Sequence, residues 1–367
     1  MRTTYQTILL AVIEVCAAAP ALTLTGCHSL GPKTVPVDRF DYGAAIAESW
    51  KQQTLLNIIK LRYMDLPIFV DVASVVSGYS MQTGVTVTGV LSSERAVQGD
   101  YGSLSGQAIY TDRPTITYVP MTGEKFLRSL ITPIDPKNIF FLLQSGYAAD
   151  FILGMTVESL NGVRNRSAAG GVVRPADPEF TRALELLRDV QTAGAFGMRV
   201  EEDKVKGSVG VVFFQRDNLS PDVAEKGMEV RRLFKLAPDQ QRFVLSYSPV
   251  RGADTELAVN SRSMLQIMQA FASYVEVPQP HLDERSAWPA GEASTESPEV
   301  QQQGVRIHSG REKPANPFAA VRYRDYWFWV DNNDLRTKRS LSVVMFFFTL
   351  AEGGGDEKLP LITIPAQ

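Results

Sequence analysis

Hydrophobic and polar residues alternate along two stretches between residues 80 and 119. The apolar positions of the first stretch are Met81, Val85, Val87 and Leu91, and those of the second are Leu104, Ala108, Tyr110, Ile116 and Tyr118. The positions between them are mostly Ser, Thr and Gln. A period of two is typical of β-strands with two different faces, so 68–119 is predicted to be rich in β-structure.

Other parts of the chain have helical spacing. After Asp177 and Pro178, a cap and a first helical residue, the apolar residues through Val190 fall on one face. Further helices are predicted at 42–63 (capped by Asp41), 123–131, 136–144, after Ser220-Pro221, from Ser261, and at 335–351. Strands are predicted at 152–160, 208–215, 242–248, 318–323, 326–330 and 361–364. Because strands and helices do not alternate regularly, we expect an α+β fold with a mixed or antiparallel sheet and several amphipathic helices.

The N-terminus has the parts of an export signal. Arg2 precedes a mostly apolar run, and the run ends in Leu24-Thr25-Gly26-Cys27. These four residues resemble the lipobox of bacterial lipoproteins. The resemblance implies that lipid is attached to Cys27, that residues 1–26 are removed, and that the lipid holds the protein on a membrane. His28 follows the cysteine where inner-membrane lipoproteins carry Asp, which favours the outer membrane, with the body in the periplasm.

The remaining chain is predicted to consist of a lipidated tether, 27–40, and one α+β body, 41–367. Residues 278–304 contain four prolines, five acidic residues and one basic residue. Such a segment buries too little apolar surface to offset its ordering entropy. We therefore expect a flexible acidic insertion there.

Charge and cysteine content exclude several classes of function. The formal net charge is −3, without the basic surplus usual in nucleic-acid-binding proteins. The two cysteines are Cys16, inside the predicted leader, and Cys27. A processed chain would have one cysteine, already lipidated, so a disulfide framework, a cysteine metal cluster and a cysteine nucleophile are not expected. No cofactor is predicted.

Candidate catalytic residues are sparse. The run 102–106 has Leu104 where the serine of a nucleophile motif would lie. Of the three histidines, only His308 is expected in a folded site, since His28 adjoins the lipid and His281 lies in the acidic segment. Asp331-Asn332-Asn333-Asp334 has the composition of a calcium loop without its spacing, and Asp334 is interpreted as a helix cap.

The alternating region has two interpretations. A half-exposed sheet of a soluble domain gives this pattern, and so does a membrane-inserting hairpin, whose strands need about 9–11 residues. The first is our principal expectation. The second resembles the lipoproteins that form the curli secretion channel, in which each subunit contributes hairpins to a shared pore.

A second hairpin, at 318–330, gathers aromatic and arginine side chains that are enriched at protein interfaces. The candidate partner surface consists of Arg322, Tyr323, Arg324, Tyr326, Trp327 and Trp329. The alternative is a hairpin with one face packed on the core.

As a whole, residues 40–365 resemble uncharacterised bacterial lipoproteins. Asp38-Arg39-Phe40-Asp41-Tyr42 and Trp327-Phe328-Trp329-Val330-Asp331 carry that resemblance, and it implies no activity. The principal functional expectation is a membrane-tethered envelope protein that docks or scaffolds partner proteins or copies of itself. The alternatives are an oligomeric outer-membrane pore or secretion component that uses 80–119, and an envelope enzyme with an unrecognised site.

Cys27→Ala should abolish lipid attachment and leave an uncleaved precursor, because the thiol is the attachment point that the lipobox requires. Metabolic labelling with a palmitate analogue and the mobility of the precursor on gels measure both effects. Unchanged labelling of the variant would contradict the lipoprotein assignment.

Overall fold

Helices and strands follow one another irregularly, and the chain has the α+β fold expected from its sequence. The computed structural model describes residues 35–76, 78–90, 101–167, 174–203, 207–215, 219–287 and 304–352. The helices are α1 (Val35–Arg62), α2 (Glu124–Ile131), α3 (Pro136–Gln144), α4 (Ala149–Thr156), α5 (Pro178–Thr192), α6 (Pro221–Leu233), α7 (Met264–Ala272), α8 (Gln279–Asp283) and α9 (Leu335–Glu352). The strands are β1 (Phe69–Val76), β2 (Tyr79–Val90), β3 (Tyr101–Asp112), β4 (Thr115–Met121), β5 (Val157–Leu160), β6 (Val163–Arg164), β7 (Phe196–Asp203), β8 (Gly207–Phe214), β9 (Arg242–Tyr247), β10 (Glu256–Ser261), β11 (His308–Gly310), β12 (Pro317–Tyr323) and β13 (Tyr326–Asp331).

The chain divides into two compact units, and the division falls inside α1. Unit one comprises 1–49, 70–120 and 359–367, and unit two comprises 50–69 and 121–358. The described part of unit one contains the first half of α1 and the strands β1 to β4. There β2 and β3 pair antiparallel over their full lengths, from Tyr79 opposite Asp112 to Val90 opposite Tyr101, while β1 pairs with β4.

Unit two is built on a six-stranded sheet of order β6-β5-β10-β9-β8-β7. The contact between β10 and β9 is parallel, and the other neighbours are antiparallel. A second sheet, β11-β13-β12, is antiparallel. Helices cover apolar surface: α5 buries Phe180, Leu187 and Val190, as its spacing predicts, and α9 buries Val344 and Phe347.

Local signals explain where several helices begin. Ser263 accepts the main-chain N–H of Gln266, whose side chain accepts that of Ser263, so a capping box starts α7. Ser220 caps α6 through Val223 N–H, and Asp334 accepts the N–H of Thr337 at the start of α9, as expected. Asp177 precedes α5, but its carboxylate accepts the N–H of Arg164 instead.

The turn between β5 and β6 depends on Asn161, which adopts φ 47° and is 1% exposed. Its amide nitrogen donates to the carbonyl oxygens of Phe234 and Glu256, and its amide oxygen accepts the N–H of Ala258. Asparagine tolerates a left-handed backbone better than most residues. The predicted Asn161-Gly162 turn is therefore confirmed, and its side chain also ties this turn to the neighbouring strand.

The strand predicted at 152–160 is wrong in its first half. Residues 149–156 form α4, which buries Ile152, Leu153 and Thr156, and the strand begins only at Val157. Short apolar runs fit a buried helix and a buried strand equally well, and here packing decides. The helix predicted from Ser261 begins at Met264, since Ser261 ends β10. The short strands β6 and β11 and the longer strands β7 and β10 were not predicted.

Two predicted boundaries also need correction. Residues 35–40, assigned to the tether, belong to α1, and Asp41 lies inside that helix. Of the segment predicted to be flexible, 278–287 is packed: α8 forms there, and His281 and Ala287 are buried. Residues 288–303, like the predicted leader and the strand predicted at 361–364, lie outside the described residues.

A search of the described helices found none with both the length and the apolar character needed to cross a bilayer.

Asn161→Gly should lower the free energy of unfolding by about 2–4 kcal/mol, because glycine keeps the left-handed backbone but leaves buried groups without partners. Asn138→Ala, at an exposed position on α3, should change it by less than about 0.5 kcal/mol. Urea denaturation measures both. If Asn161→Gly lowers the free energy of unfolding no more than Asn138→Ala does, the hydrogen bonds of the Asn161 side chain do not stabilise the fold.

Candidate functional site

The β2–β3 hairpin has exposed side chains on both of its faces among the positions that the structure describes. Val85, opposite Gly106 on one face, is 60% exposed, and Ile109, opposite Gln82 on the other, is 43% exposed. Thr86, Ser105 and Gln107 are also exposed. In a half-exposed sheet of a soluble domain one face would be covered. The described side chains of this hairpin do not have that arrangement.

The hairpin is also almost free of charge, a signal that the sequence analysis missed. Among the residues of β2 and β3, Asp112 alone is charged, and it is the last residue of β3. The connection between the strands contains Glu94, Arg95 and Asp100. Exposed strands of soluble proteins ordinarily carry charges that discourage edge-to-edge pairing, and apart from Asp112 the residues of β2 and β3 lack them.

Other parts of unit one also expose apolar side chains. On β4, Ile116 is 39% and Tyr118 60% exposed, and residues 115–120 are exposed throughout. In the first half of α1, Phe40 is 75% and Ile46 41% exposed. Unit one therefore presents apolar surface on a helix as well as on strands.

The six residues predicted as a partner surface do not form one surface. Tyr323 and Tyr326 are direct partners across β12 and β13. Tyr323 contacts Tyr63, which follows α1, and Tyr326 contacts His281 of α8. Trp327 and Trp329 lie on the opposite face of the same sheet, and Arg322 is the cross-strand partner of Trp327. Arg324 lies in the turn. The face next to α1 matches the core-packing alternative, and the other face is half-exposed.

On the first face, polar and aromatic groups form a cluster around Tyr63, which follows α1. The Tyr63 hydroxyl lies 2.7 Å from His281 Nδ1, and the His281 ring packs edge-on against Tyr63 and Tyr326. The Tyr323 hydroxyl donates to Asp65, and the Arg324 guanidinium lies 3.4 Å from the same carboxylate. The cluster thereby joins the end of α1 to α8 and to the β12–β13 turn.

Burial changes the ionisation of the two tyrosines. Removal from water raises the pKa of the Tyr63 phenol above its ordinary value, and the nearby Arg324 charge opposes the rise. Burial, followed by the hydrogen bond to Asp65, raises the pKa of Tyr323. Both phenols therefore stay protonated at neutral pH, and the Tyr63 hydroxyl can donate to the histidine.

Several residues around this cluster adopt left-handed backbone angles without being glycine. They are Met64 (φ 62°), Arg285 (φ 54°), Arg324 (φ 45°) and Asp325 (φ 64°). The last two form the tight turn between β12 and β13, where positive φ at both positions suits the twist of the strands. Of these four residues, Arg324 contacts the cluster itself, since its guanidinium lies over the rings of Tyr63 and Tyr323 and beside Asp65.

On the second face, Trp329 stacks on His308 with ring centroids 5.5 Å apart. His308 lies between Glu276 and Asp331, at 3.3 and 3.1 Å. The Lys313 ammonium lies over Trp327, 5.4 Å from the ring centroid. His308 therefore lies in a folded site, with a carboxylate on either side and an indole against its ring. The prediction that it is the only such histidine is wrong, because His281 is buried in the cluster around Tyr63.

Cys27, the predicted lipid-attachment site, lies outside the described residues. Within the described ranges, no group of three or more His, Cys, Asp or Glu residues could hold a metal ion. No protein-family model, curated protein or solved structure matches the chain.

Tyr63→Phe should lower stability at pH 7 by about 1–2 kcal/mol, the value of a buried hydrogen bond. It should also flatten the dependence of stability on pH. Because burial raises the pKa of Tyr63 in the folded state, the neutral phenol stabilises the fold fully at pH values below its unfolded-state pKa of about 10. This contribution to stability is lost as the pH rises through the folded-state pKa.

Urea unfolding between pH 7 and 11 measures both effects. Tyr247→Phe is the control, because Tyr247 is 54% exposed and should tolerate the change. Equal pH profiles for wild type and Tyr63→Phe would argue against the protonated phenol as the buried partner of His281.

Proposed function

We propose that this protein is a lipid-anchored envelope protein whose β2–β3 hairpins assemble, copy beside copy, into a membrane-inserted pore or secretion component. The observation that carries the proposal is the pair of 12-residue strands, uncharged over almost their whole length, whose described side chains are exposed on both faces. The lipid anchor on Cys27, predicted from the lipobox, would hold the hairpin beside the bilayer.

The first argument is the instability of such a ribbon in water. An isolated two-stranded hairpin is marginal at best, because it has two open edges and no covered face. Val85 exposes 60% of its surface in this chain, and its neighbours on that face are apolar or small by sequence. Lipid would cover the apolar face, and hairpins of neighbouring copies would pair with the open edges.

The second argument is length. About 12 residues of extended strand measure about 40 Å, and with a tilt of about 45° they span about 28 Å. That span is close to the hydrocarbon core of a bilayer, about 30 Å. The face with Gln82, Thr86, Ser105 and Gln107 would line water, and charged residues occur near both ends of the ribbon.

Docking of a partner protein, the principal expectation from the sequence, remains a second candidate, and one observation favours it. The outer face of β11-β13-β12 presents Trp327, Trp329 and Arg322, residue types that dominate binding at protein interfaces. This surface has three of the six predicted residues, since Tyr323, Arg324 and Tyr326 belong to the cluster around Tyr63.

Substitutions at adjacent positions of β2 test insertion. Val85→Lys places a charge on the apolar face near mid-strand, where it should cost about 2–4 kcal/mol per copy in a bilayer and block insertion. Thr86→Lys, on the polar face, should be tolerated. Both side chains are exposed in the single chain, so neither substitution should lower the melting temperature of unit two.

The lipidated protein would be reconstituted in vesicles and assayed by crosslinking and by release of an entrapped dye. Wild type and Thr86→Lys should form oligomers and release dye, whereas Val85→Lys should do neither. A wild-type protein that stays monomeric, with a hairpin open to external protease, would refute insertion and leave docking as the better proposal.

A further inference from the structure

A surface cavity of about 420 Å³ lies at the β6-β5-β10 edge of the main sheet in unit two. Its lining includes Arg164 on β6, Arg174, and Arg251 in the loop after β9. Cavities of this size commonly hold small molecules. Three different segments of chain therefore contribute arginine residues to the lining of one cavity.

The charges of this cavity are unbalanced. Glu158 is the acid in its lining, and it already forms ion pairs with Arg174 at 3.1 Å and with the buried Arg262 at 3.0 Å. Within the described residues, Arg164 and Arg251 form no ion pair. Asp177, beside the cavity, accepts the main-chain N–H of Arg164 through its carboxylate. The cavity therefore carries an excess of positive charge.

The lining of the cavity also contains neutral hydrogen-bond donors. Ser159 and Asn260 are paired residues of β5 and β10, and Ser159 also pairs with Arg164 across β6. Ser159 is 5% exposed and lines the cavity, yet its hydroxyl has no hydrogen-bond partner in the described part of the chain. Because Ser159 lines the cavity, this hydroxyl can form a hydrogen bond with a molecule bound there.

We propose that this cavity binds the phosphate group of a phosphomonoester. A phosphate monoester carries a charge of about −1.5 to −2 at pH 7 and has three strong acceptor oxygens. It can therefore accept from two guanidinium groups and the Ser159 hydroxyl together, whereas a carboxylate brings one charge and two oxygens. The group could belong to a phosphorylated solute or to a lipid headgroup. This inference does not depend on the hairpin.

Calorimetric titration of the full protein with inorganic phosphate and with glycerol 3-phosphate tests the site. We expect saturable binding at one site per chain. Arg164→Gln should weaken it by about tenfold or more, the effect of a charge-assisted hydrogen bond. Ser159→Ala, which removes no charge and no internal bond, should weaken it by about three- to tenfold.

Arg232→Gln is the matched control, because Arg232 is exposed on α6, is unpaired within the described residues and lies outside the cavity lining. It should leave the affinity unchanged. Equal weakening by Arg232→Gln and Arg164→Gln, or an unchanged affinity in Ser159→Ala, would mean unspecific charge attraction and would overturn the proposal.

Flotation with vesicles that contain phosphatidic acid, measured relative to vesicles that lack it because the proposed lipid anchor would bind both, separates the two sources. Binding of the soluble phosphates identifies a phosphorylated solute as the ligand class. Binding only to the vesicles, weakened by Ser159→Ala and Arg164→Gln, identifies the lipid headgroup. Binding of neither would refute the site.

Discussion

The buried guanidinium of Arg262 organises the part of unit two on which its main sheet and cavity depend. Its side chain is 6% exposed, and it donates to Glu158 Oε2 at 3.0 Å, to the carbonyl oxygens of Gly154 and Met155 at the end of α4, and to that of Arg166. Burial lowers the pKa of Arg262, and Glu158 opposes that effect. A buried charge needs partners at every donor, and breaking such a pair typically costs about 3–5 kcal/mol. The Arg262 side chain thus fixes the transition from α4 to β5 and positions the loop after β6. It also shares the Glu158 carboxylate with Arg174, so that Glu158 does not neutralise the other arginines of the cavity.

In unit one, by contrast, the described apolar groups of the β2–β3 ribbon are not covered by other parts of the unit. Within the described residues, Val85 and Ile109 of its β2–β3 ribbon stay exposed, and β2 and β3 pair with each other and with no further strand. Its uncharged strands would expose apolar surface and open edges to water, which favours association. The two units therefore differ in where their apolar groups find contacts. Unit two buries them in its own core, whereas unit one leaves them for a bilayer or for other copies, as we propose.

The sequence predicted some elements well because their signals are local. The α5 helix followed from Pro178 and one apolar face, the β12–β13 hairpin from two aromatic runs, and the cap at Asp334 from its position before α9. Prediction failed where a short apolar run fits two structures, as at 149–156, and where composition was the only guide. His281 lies in a segment rich in acids and prolines, yet a single histidine packed between Tyr63 and Tyr326 gives that segment a buried anchor. Contacts between residues more than 200 positions apart leave no signal in local composition.

The sequence by itself determined the α+β class, the alternating pattern of 80–119 and the candidate lipid site at Cys27, because periodicity and short motifs depend on neighbours along the chain. It also marked Tyr323, Tyr326, Trp327 and Trp329 as unusual. Only the tertiary structure decided that these four side chains divide between two faces of one sheet, since cross-strand register sets the side on which each one lies. It alone brought Arg164, Arg174 and Arg251 to one cavity, because their meeting depends on strand order in the sheet, which local patterns do not encode.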